Sequence, residues 1–286
     1  MEKRKLSASI ARKLQKMLEG ESLPSSTIPS WIARELSEEG LLGVISRGSR
    51  KSYLIIDAEA CNRYISNRFT GGATLDKWIK LAEMKDEELD RSMLVRETGD
   101  SKIRHLRTFR GFLVNCYEPL EATIGETSFS LSPQEGTALF IQSPDEFRIA
   151  DDILIIGIEN GENFRQIRRQ RNLFGDRKTL FVSRYPQSAD LRNWLANIPN
   201  PYFHFGDFDL AGIHIYLTEF YKYLGNRASF FIPDDLEEKL KNGNGTLYDK
   251  QYARYKDMTV TDPRLLPLVE MIHRYRKVYE QEGFLE

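Results

Sequence analysis

Apolar positions recur with two different periods along this chain, and the change of period marks its organisation. Residues 7–19, SASIARKLQKMLE, place Ile10, Leu14, Met17 and Leu18 at helical spacing, with Ser7 or Ser9 available as N-cap. A second helix starts at Ser26 or Ser30, carries Trp31, Ile32 and Leu36, and ends at Gly40. Two apolar runs follow, joined by Arg47-Gly48-Ser49-Arg50-Lys51, which predicts a β-hairpin with a basic tip. Helix, helix and hairpin is the order of a winged helix. Residues 58–95 read as helical, with a break at Gly71-Gly72. Between 103 and 150 the texture becomes short β-favouring runs such as FRGFLVNCY and TALFIQSP.

From residue 153 strand-like and helix-like segments alternate. ILIIGIEN (153–160) is a continuous apolar run of the kind buried on both faces of a parallel sheet, and the helix NFRQIRRQRNLFG follows it. TLFVSR (179–184), PYFHFG (201–206) and ASFFIP (228–233) give further strands. Helices are predicted over 188–198, with Ser188 as cap, over 210–224, and over 264–282. This alternation predicts an α/β fold: a C-terminal parallel sheet with flanking helices and right-handed crossovers, preceded by the N-terminal winged helix. The implied segments are 1–95, a connecting β-rich region 96–150, and 151–286.

Composition narrows the classes. The chain has 286 residues, 41% of them apolar, with 41 Lys/Arg against 42 Asp/Glu, so any nucleic-acid footprint must be local. Residues 1–52 hold ten Lys/Arg and six Asp/Glu. Arg47, Arg50 and Lys51 at the hairpin tip favour phosphate contact over the protein contact that the same fold also serves. Cys61 and Cys116 are too few and too far apart for a disulfide framework, and no apolar run reaches the roughly 18 residues of a membrane span. The expectation is a cytoplasmic protein with no membrane contact.

Candidate chemistry gathers where ligands of open α/β sheets bind, beyond the carboxyl ends of the strands. Glu159 follows the first strand of the C-terminal half, and Asp207 and Asp209, in HFGDFDLAGIHIY, follow the third. Either aspartate could simply cap the next helix. Three carboxylates on one rim repel, however, and such clusters persist by binding a divalent cation; oxygen ligands favour Mg²⁺. A Rossmann-like nucleotide site is the rival, but no G-x-G-x-x-G or Walker-type lysine loop follows any strand. Arg165, Arg168 and Arg169 fall at i, i+3, i+4, with Arg171, Arg177 and Lys178 beyond and Asp176 alone offsetting them. They form either a DNA-facing or a solvated helix face. His204 and His214 have no third ligand at zinc spacing and read as structural or DNA-contacting. Asn160 either orients Glu159 or begins a turn.

These residues resemble the Toprim domain of topoisomerases, primases and a group of nucleases, whose pattern is a Glu after the first strand and an Asp-x-Asp after the third. Glu159 in ILIIGIENGENF and Asp207 and Asp209 in FHFGDFDLAGIHI match it. Within that superfamily the chain is similar to the JetD nuclease subunit of Wadjet plasmid-defence systems, through Glu159-Asn160 and a tail reading Glu280-Gln281-Glu282. More distantly it resembles the topoisomerase VI A subunit. The resemblance implies an endonuclease that uses Mg²⁺ or Mn²⁺ to hydrolyse double-stranded DNA, in defence against plasmid or phage. Glu159, Asp207 and Asp209 would be catalytic metal ligands and Glu282 a second metal position. An SMC-type motor complex would be a partner, and double-strand cleavage would require a homodimer. The Arg-Glu-x-Tyr-Tyr-like stretch that carries an attacking tyrosine is absent from residues 1–100, where Tyr53 and Tyr64 lack that context, so hydrolysis is favoured over transesterification.

Overall fold

The computed structural model describes residues 6–85, 88–104, 106–175, 177–185 and 189–285. The chain packs as two compact units, Met1–Thr108 and Phe109–Glu286.

In the first unit, α1 (Ala8–Leu18) is capped by the Ser7 hydroxyl, which accepts from the Ile10 N–H. β1 (Leu23–Pro24) and a short turn at Ser25–Thr27 lead into α2 (Ser30–Glu38), with Pro29 preceding the first turn. The hairpin β2 (Leu42–Arg47) and β3 (Arg50–Ile55) turns on Gly48 at φ 62°, the positive value a tight two-residue turn demands. β1 pairs with β3, giving a three-stranded antiparallel sheet in the order β1-β3-β2. α3 (Ala58–Ile65) runs on to Thr70 and breaks at Gly71 and Gly72, both at positive φ, before α4 (Leu75–Glu83) and α5 (Arg91–Thr98). Leu14, Met17, Ile32, Leu36, Cys61 and Trp78 form the core, and the Trp78 indole donates to the Leu6 carbonyl at 2.9 Å.

The second unit holds a mixed α/β fold. Its main sheet uses β4 (Phe112–Cys116), β7 (Leu139–Ile141), β9 (Leu154–Ile158), β10 (Thr179–Ser183), β11 (Tyr202–Phe205) and β12 (Ala228–Phe230), in the order β12-β11-β9-β10-β4-β7. The four strands from β9 to β12 are parallel, as their apolar runs predict; β4 and β7 add antiparallel at one edge. A small antiparallel sheet joins β5 (Leu120–Ile124), β6 (Thr127–Leu131) and β8 (Phe147–Ile149). Residues 96–150, read from the sequence as a connecting region, therefore divide at Thr108, and their strands build the second unit. Trp194 explains why: fully buried, it stacks on Phe147, packs against the tilted ring of Phe112, and donates to the Phe147 carbonyl at 3.0 Å.

The helices of this unit are α6 (Gly161–Arg165), α7 (Arg171–Phe174), α8 (Ala189–Ala196), α9 (Leu210–Ile215), α10 (Lys222–Leu224), α11 (Leu236–Lys241), α12 (Gly245–Tyr255) and α13 (Leu266–Tyr275). Between α9 and α10 the helix continues as a π-turn over Tyr216–Tyr221. Ser188, the expected cap of α8, lies outside the described residues. The last helix is shorter than its apolar stripe predicts. It stops at Arg276, which adopts a left-handed φ of 51°, and residues 278–284 leave the helix axis. Among the described residues no helix is long and apolar enough to cross a membrane.

On β9 every residue is buried, and Gly157 lies directly beneath the hydroxyl of Tyr202 on neighbouring β11. A methyl group there would collide with that oxygen. Overpacking of this kind costs about 1–3 kcal/mol, so Gly157→Ala should lower Tm by roughly 3–10 °C. Adding Tyr202→Phe should recover part of the loss, because the hydroxyl is the nearest obstacle. Thermal melts of the three variants check this, and strictly additive losses would contradict the contact.

Candidate functional site

β9 connects to β10 on one side of it, and the chain then crosses back to β11 on the other side and continues outward to β12. The connections leaving β9 and β11 diverge, which opens a crevice between their carboxyl ends. Glu159 and Asp207 follow these two strands. The Glu159 N–H donates to the Phe205 carbonyl at 3.0 Å, extending the ladder to the rim. Gly206 completes the approach, since a Cβ at this position would meet the Glu159 carboxylate and the His204 ring.

The C-terminal tail closes the crevice. Phe208 and Tyr279 exchange backbone hydrogen bonds at 2.9 and 3.2 Å, and Asn244 and Val278 form a second bridge. Gln281 is fully buried and reaches both strand ends. Its backbone N–H donates to Asp207 Oδ1 at 2.8 Å and its amide to the Phe205 carbonyl at 3.1 Å. Its Oε1 accepts from the Asn160 N–H at 2.9 Å, and its carbonyl accepts from the Asn163 side chain at 2.9 Å. Glu282, exposed, takes a hydrogen bond from the Asn160 amide, while Glu280 faces solvent. Asn160 thus orients Glu282 rather than Glu159, and its own oxygen caps α6. Sequence reasoning missed Gln281. An uncharged residue between two glutamates carries no signal of its own, and only the tail's return to the sheet gives it a role.

Asp207 titrates far from its ordinary range. Burial pushes its carboxyl up from 3.8 to about 7; the Gln281 N–H works against this, and the negative charges of Asp209, Glu159 and Glu282 add to it. The other three sequence-selected acids therefore act on Asp207.

They do not act alike. Asp209 is 4% exposed and caps α9, accepting from the Gly212 N–H through Oδ1 at 2.6 Å, while its Oδ2 accepts from Gln251 at 2.6 Å. Both oxygens of this expected metal ligand are engaged by the protein. Glu159 lies between Arg184 at 3.6 Å and His204 at 3.2 Å. Among the described residues no three Asp, Glu, His or Cys side chains converge as ready-made ligands of one ion. Asp207, with one oxygen on Gln281, and the exposed Glu282 are the carboxylates least committed to other partners. A cleft of about 550 Å³, lined by Asn242, Asn244, Tyr279, Glu280 and Glu282, takes in one of the four acids, Glu282. A larger cleft of about 660 Å³, lined by His214, Tyr221, Lys222, Arg254 and Tyr255, includes none of the four acids.

The arginine face changes most between expectation and structure. The helix after Glu159 breaks after Arg165 into a 3₁₀ turn over Ile167–Gln170, so the i, i+3, i+4 face is not continuous. Arg168 turns inward and donates to the carbonyls of Cys116 and Pro133 at 3.4 and 2.7 Å, a structural role. Arg171 pairs with Glu118. Arg165 is exposed and paired with Glu162; Arg169, Arg177 and Lys178 are also exposed. Asp176 lies outside the described residues. In the first unit Arg47, Arg50 and Lys51 are all exposed at the hairpin tip.

The second unit is thus an α/β domain with an acidic crevice at the carboxyl ends of its central parallel strands. Residues 120–286 match the model of a family described as a domain of unknown function, DUF7281, and the chain belongs to that family. The matched segment contains Glu159, Asp207, Asp209 and Glu282. No curated protein matches the chain.

A carboxyl raised by folding makes stability depend on pH. Between about pH 4 and 7 the unfolded chain has released the Asp207 proton while the folded chain still holds it, so stability falls as pH rises through that window. The penalty is complete above pH 7. A carboxamide at this position cannot ionise, and its oxygen can still accept from the Gln281 N–H. Asp207→Asn should therefore be more stable than wild type at pH 8, by on the order of 2–4 kcal/mol, and equal to it near pH 4. Denaturant titrations at both pH values check this; a difference independent of pH would contradict the assignment.

Proposed function

We propose that this chain is a Toprim-type DNA endonuclease dependent on Mg²⁺ or Mn²⁺, similar to the JetD nuclease subunit and acting in the cytoplasm against plasmid or phage DNA. The observation that carries this reading is the pairing of Glu159 and Asp207 at adjacent parallel strand ends beside the topological switch, with Glu282 delivered to the same rim by the tail. An oxygen-only donor set fits a hard divalent cation, and a buried carboxyl among like charges is the situation such a cation relieves. Asp207 and Glu282 would hold it, with Glu159 completing the site or moving a proton. Asp209 supports the loop as a cap. A bound cation would supply neutralisation of the scissile phosphate and activation of water. Gln281 and Asn160 hold the carboxylates at their positions, and the exposed Arg169, Arg177 and Lys178 offer phosphate contacts.

The first unit supports a winged-helix reading: α1, β1, α2 and the β2–β3 hairpin follow that order, and β1 pairs with β3. Arg47, Arg50 and Lys51 would then contact the DNA backbone. A second use, protein contact with a partner such as an SMC-type motor, is favoured by the exposed face of α2. There Arg34 is paired with Glu38, and Glu35 with Arg68, leaving no net positive charge, while Val44, Ile45 and Ile56 are exposed on or beside the hairpin. A non-catalytic DNA-binding adaptor and a topoisomerase VI A-like subunit are the competing classes; the latter requires a covalent tyrosine–DNA adduct. One site per chain serves one strand, so cleavage of both strands implies a homodimer.

Wild type should nick supercoiled plasmid with Mn²⁺ or Mg²⁺, and Asp207→Ala should reduce the rate at least about 100-fold while leaving DNA retention in gel shifts intact. Wild type that binds DNA and never cuts with either cation would sink the nuclease reading. Separately, Arg47→Ala/Arg50→Ala/Lys51→Ala should lower the slope of log K against log salt by about 2.7, near 0.9 for each lost phosphate contact. An unchanged slope would move the hairpin to the protein-contact reading.

A further inference from the structure

Behind Glu159 runs a buried polar chain to which the cleavage scheme gives no task. Tyr202 and His204 sit two residues apart on β11, hence on one face of the sheet, and both are fully buried. His204 Nε2 lies 3.2 Å from Glu159 Oε2, and Nδ1 lies 3.1 Å from the Tyr202 hydroxyl. On the other side Arg184, 8% exposed, faces Glu159 Oε1 at 3.6 Å and is itself fixed by two bonds to Glu219 at 3.1 and 2.9 Å. Phe220, Phe230 and Tyr216 pack around the imidazole, with ring centroids 4.9, 5.5 and 5.8 Å away.

Two glycines admit this chain. Gly157 leaves room for the Tyr202 hydroxyl, and Gly206 leaves room for the contact between Glu159 and His204. Burial pushes the Tyr202 phenol well above its ordinary range, so it stays an O–H donor. Donation to Nδ1 selects the tautomer with the proton on Nε2, which then donates to Glu159.

We propose that His204, its tautomer set by Tyr202, is the positioning residue for Glu159. Its Nε2–H and the Arg184 guanidinium take one carboxylate oxygen each and hold the side chain in a single orientation at the crevice. This assignment rests on the nuclease reading for its catalytic consequence, but the hydrogen bond itself does not. A floppy glutamate would sample several rotamers, and losing such a supporting hydrogen bond typically costs about 10–100-fold in activity or metal affinity.

The test uses the full chain with His204→Phe, His204→Gln and Tyr202→Phe. Phe fills the aromatic cage without a donor, whereas Gln returns an amide N–H near the Nε2 position. In plasmid nicking with Mn²⁺, His204→Phe should lose about 10–100-fold in kcat with KM for DNA within about twofold, and His204→Gln should recover to within about fivefold of wild type. Tyr202→Phe should fall between them. A second readout is independent of cleavage: ¹⁵N NMR of the imidazoles should show His204 as the Nε2–H tautomer, with that resonance moving in Glu159→Gln.

If wild type cuts, a His204→Phe variant at wild-type rate, or equal losses in the Phe and Gln variants, overturns the positioning role. If wild type does not cut, the nuclease reading fails and the NMR arm alone decides. An Nδ1–H tautomer, or a His204 resonance unmoved by Glu159→Gln, then overturns it. Should His204→Phe fail to fold, Tyr202→Phe and the Gln variant carry the same comparison.

Discussion

The acidic crevice depends on four hydrogen bonds that Gln281 makes to the ends of two parallel strands and to the helix that follows the first of them. Carboxylates brought to one rim repel, and in partly dry protein burial and this repulsion together push the Asp207 carboxyl up to about 7. Without a clamp the loops after β9 and β11 would relax apart. Gln281 supplies that clamp with neutral groups: it satisfies the Asn160 N–H, the Phe205 carbonyl and one Asp207 oxygen without adding a cation that would neutralise the site. The acidic character is therefore kept, and its cost is carried by the buried sheet beneath.

That sheet is also why much of the architecture was legible. Strands buried on both faces must be apolar throughout, so β9 and β10 announce themselves as runs of five buried residues. The end of β9 could be placed, and with it Glu159; the apolar run of β11 placed Asp207 in the same way. The hairpin was equally plain, because Gly48 and its basic neighbours interrupt two apolar runs. Periodicity failed where tertiary contacts override it. The stripe of Leu268, Ile272 and Tyr279 spans an apparent helix through 282, yet Val278 and Tyr279 pair as extended backbone with Asn244 and Phe208. Both arrangements bury those side chains, so an apolar pattern alone does not separate them.

The arginine face failed for a related reason. Spacing at i, i+3, i+4 has meaning only on an unbroken α-helix, and Gln166 ends the helix one residue after Arg165. Arg168 then finds two carbonyls that the strand-rich region 112–149 leaves exposed to it. Such a role requires knowing that those strands pack here, which no local pattern encodes. In the same way His204 and Asn160 each had two readings from the sequence. Their partners, Glu159 and Glu282, lie 45 and 122 residues away in the chain.

Asp207 and Asp209 show how two identical residue types, two positions apart, come to differ. Asp209 lies at the first turn of α9, where orphaned N–H groups draw a carboxylate oxygen, and Gln251 on α12 takes the other. Asp207 precedes Phe208, whose backbone is locked to Tyr279, and so it is held outside the helix and against the tail. Gly212 permits this spacing, because a side chain there would strike the Asp207 carbonyl. Capping by Asp209 fixes the loop geometry that keeps Asp207 from capping, so one carboxylate stabilises the turn while the other meets the tail. Two acids after one strand thus come to different places in the fold, and the hydrogen-bond partners of each oxygen decide which is which.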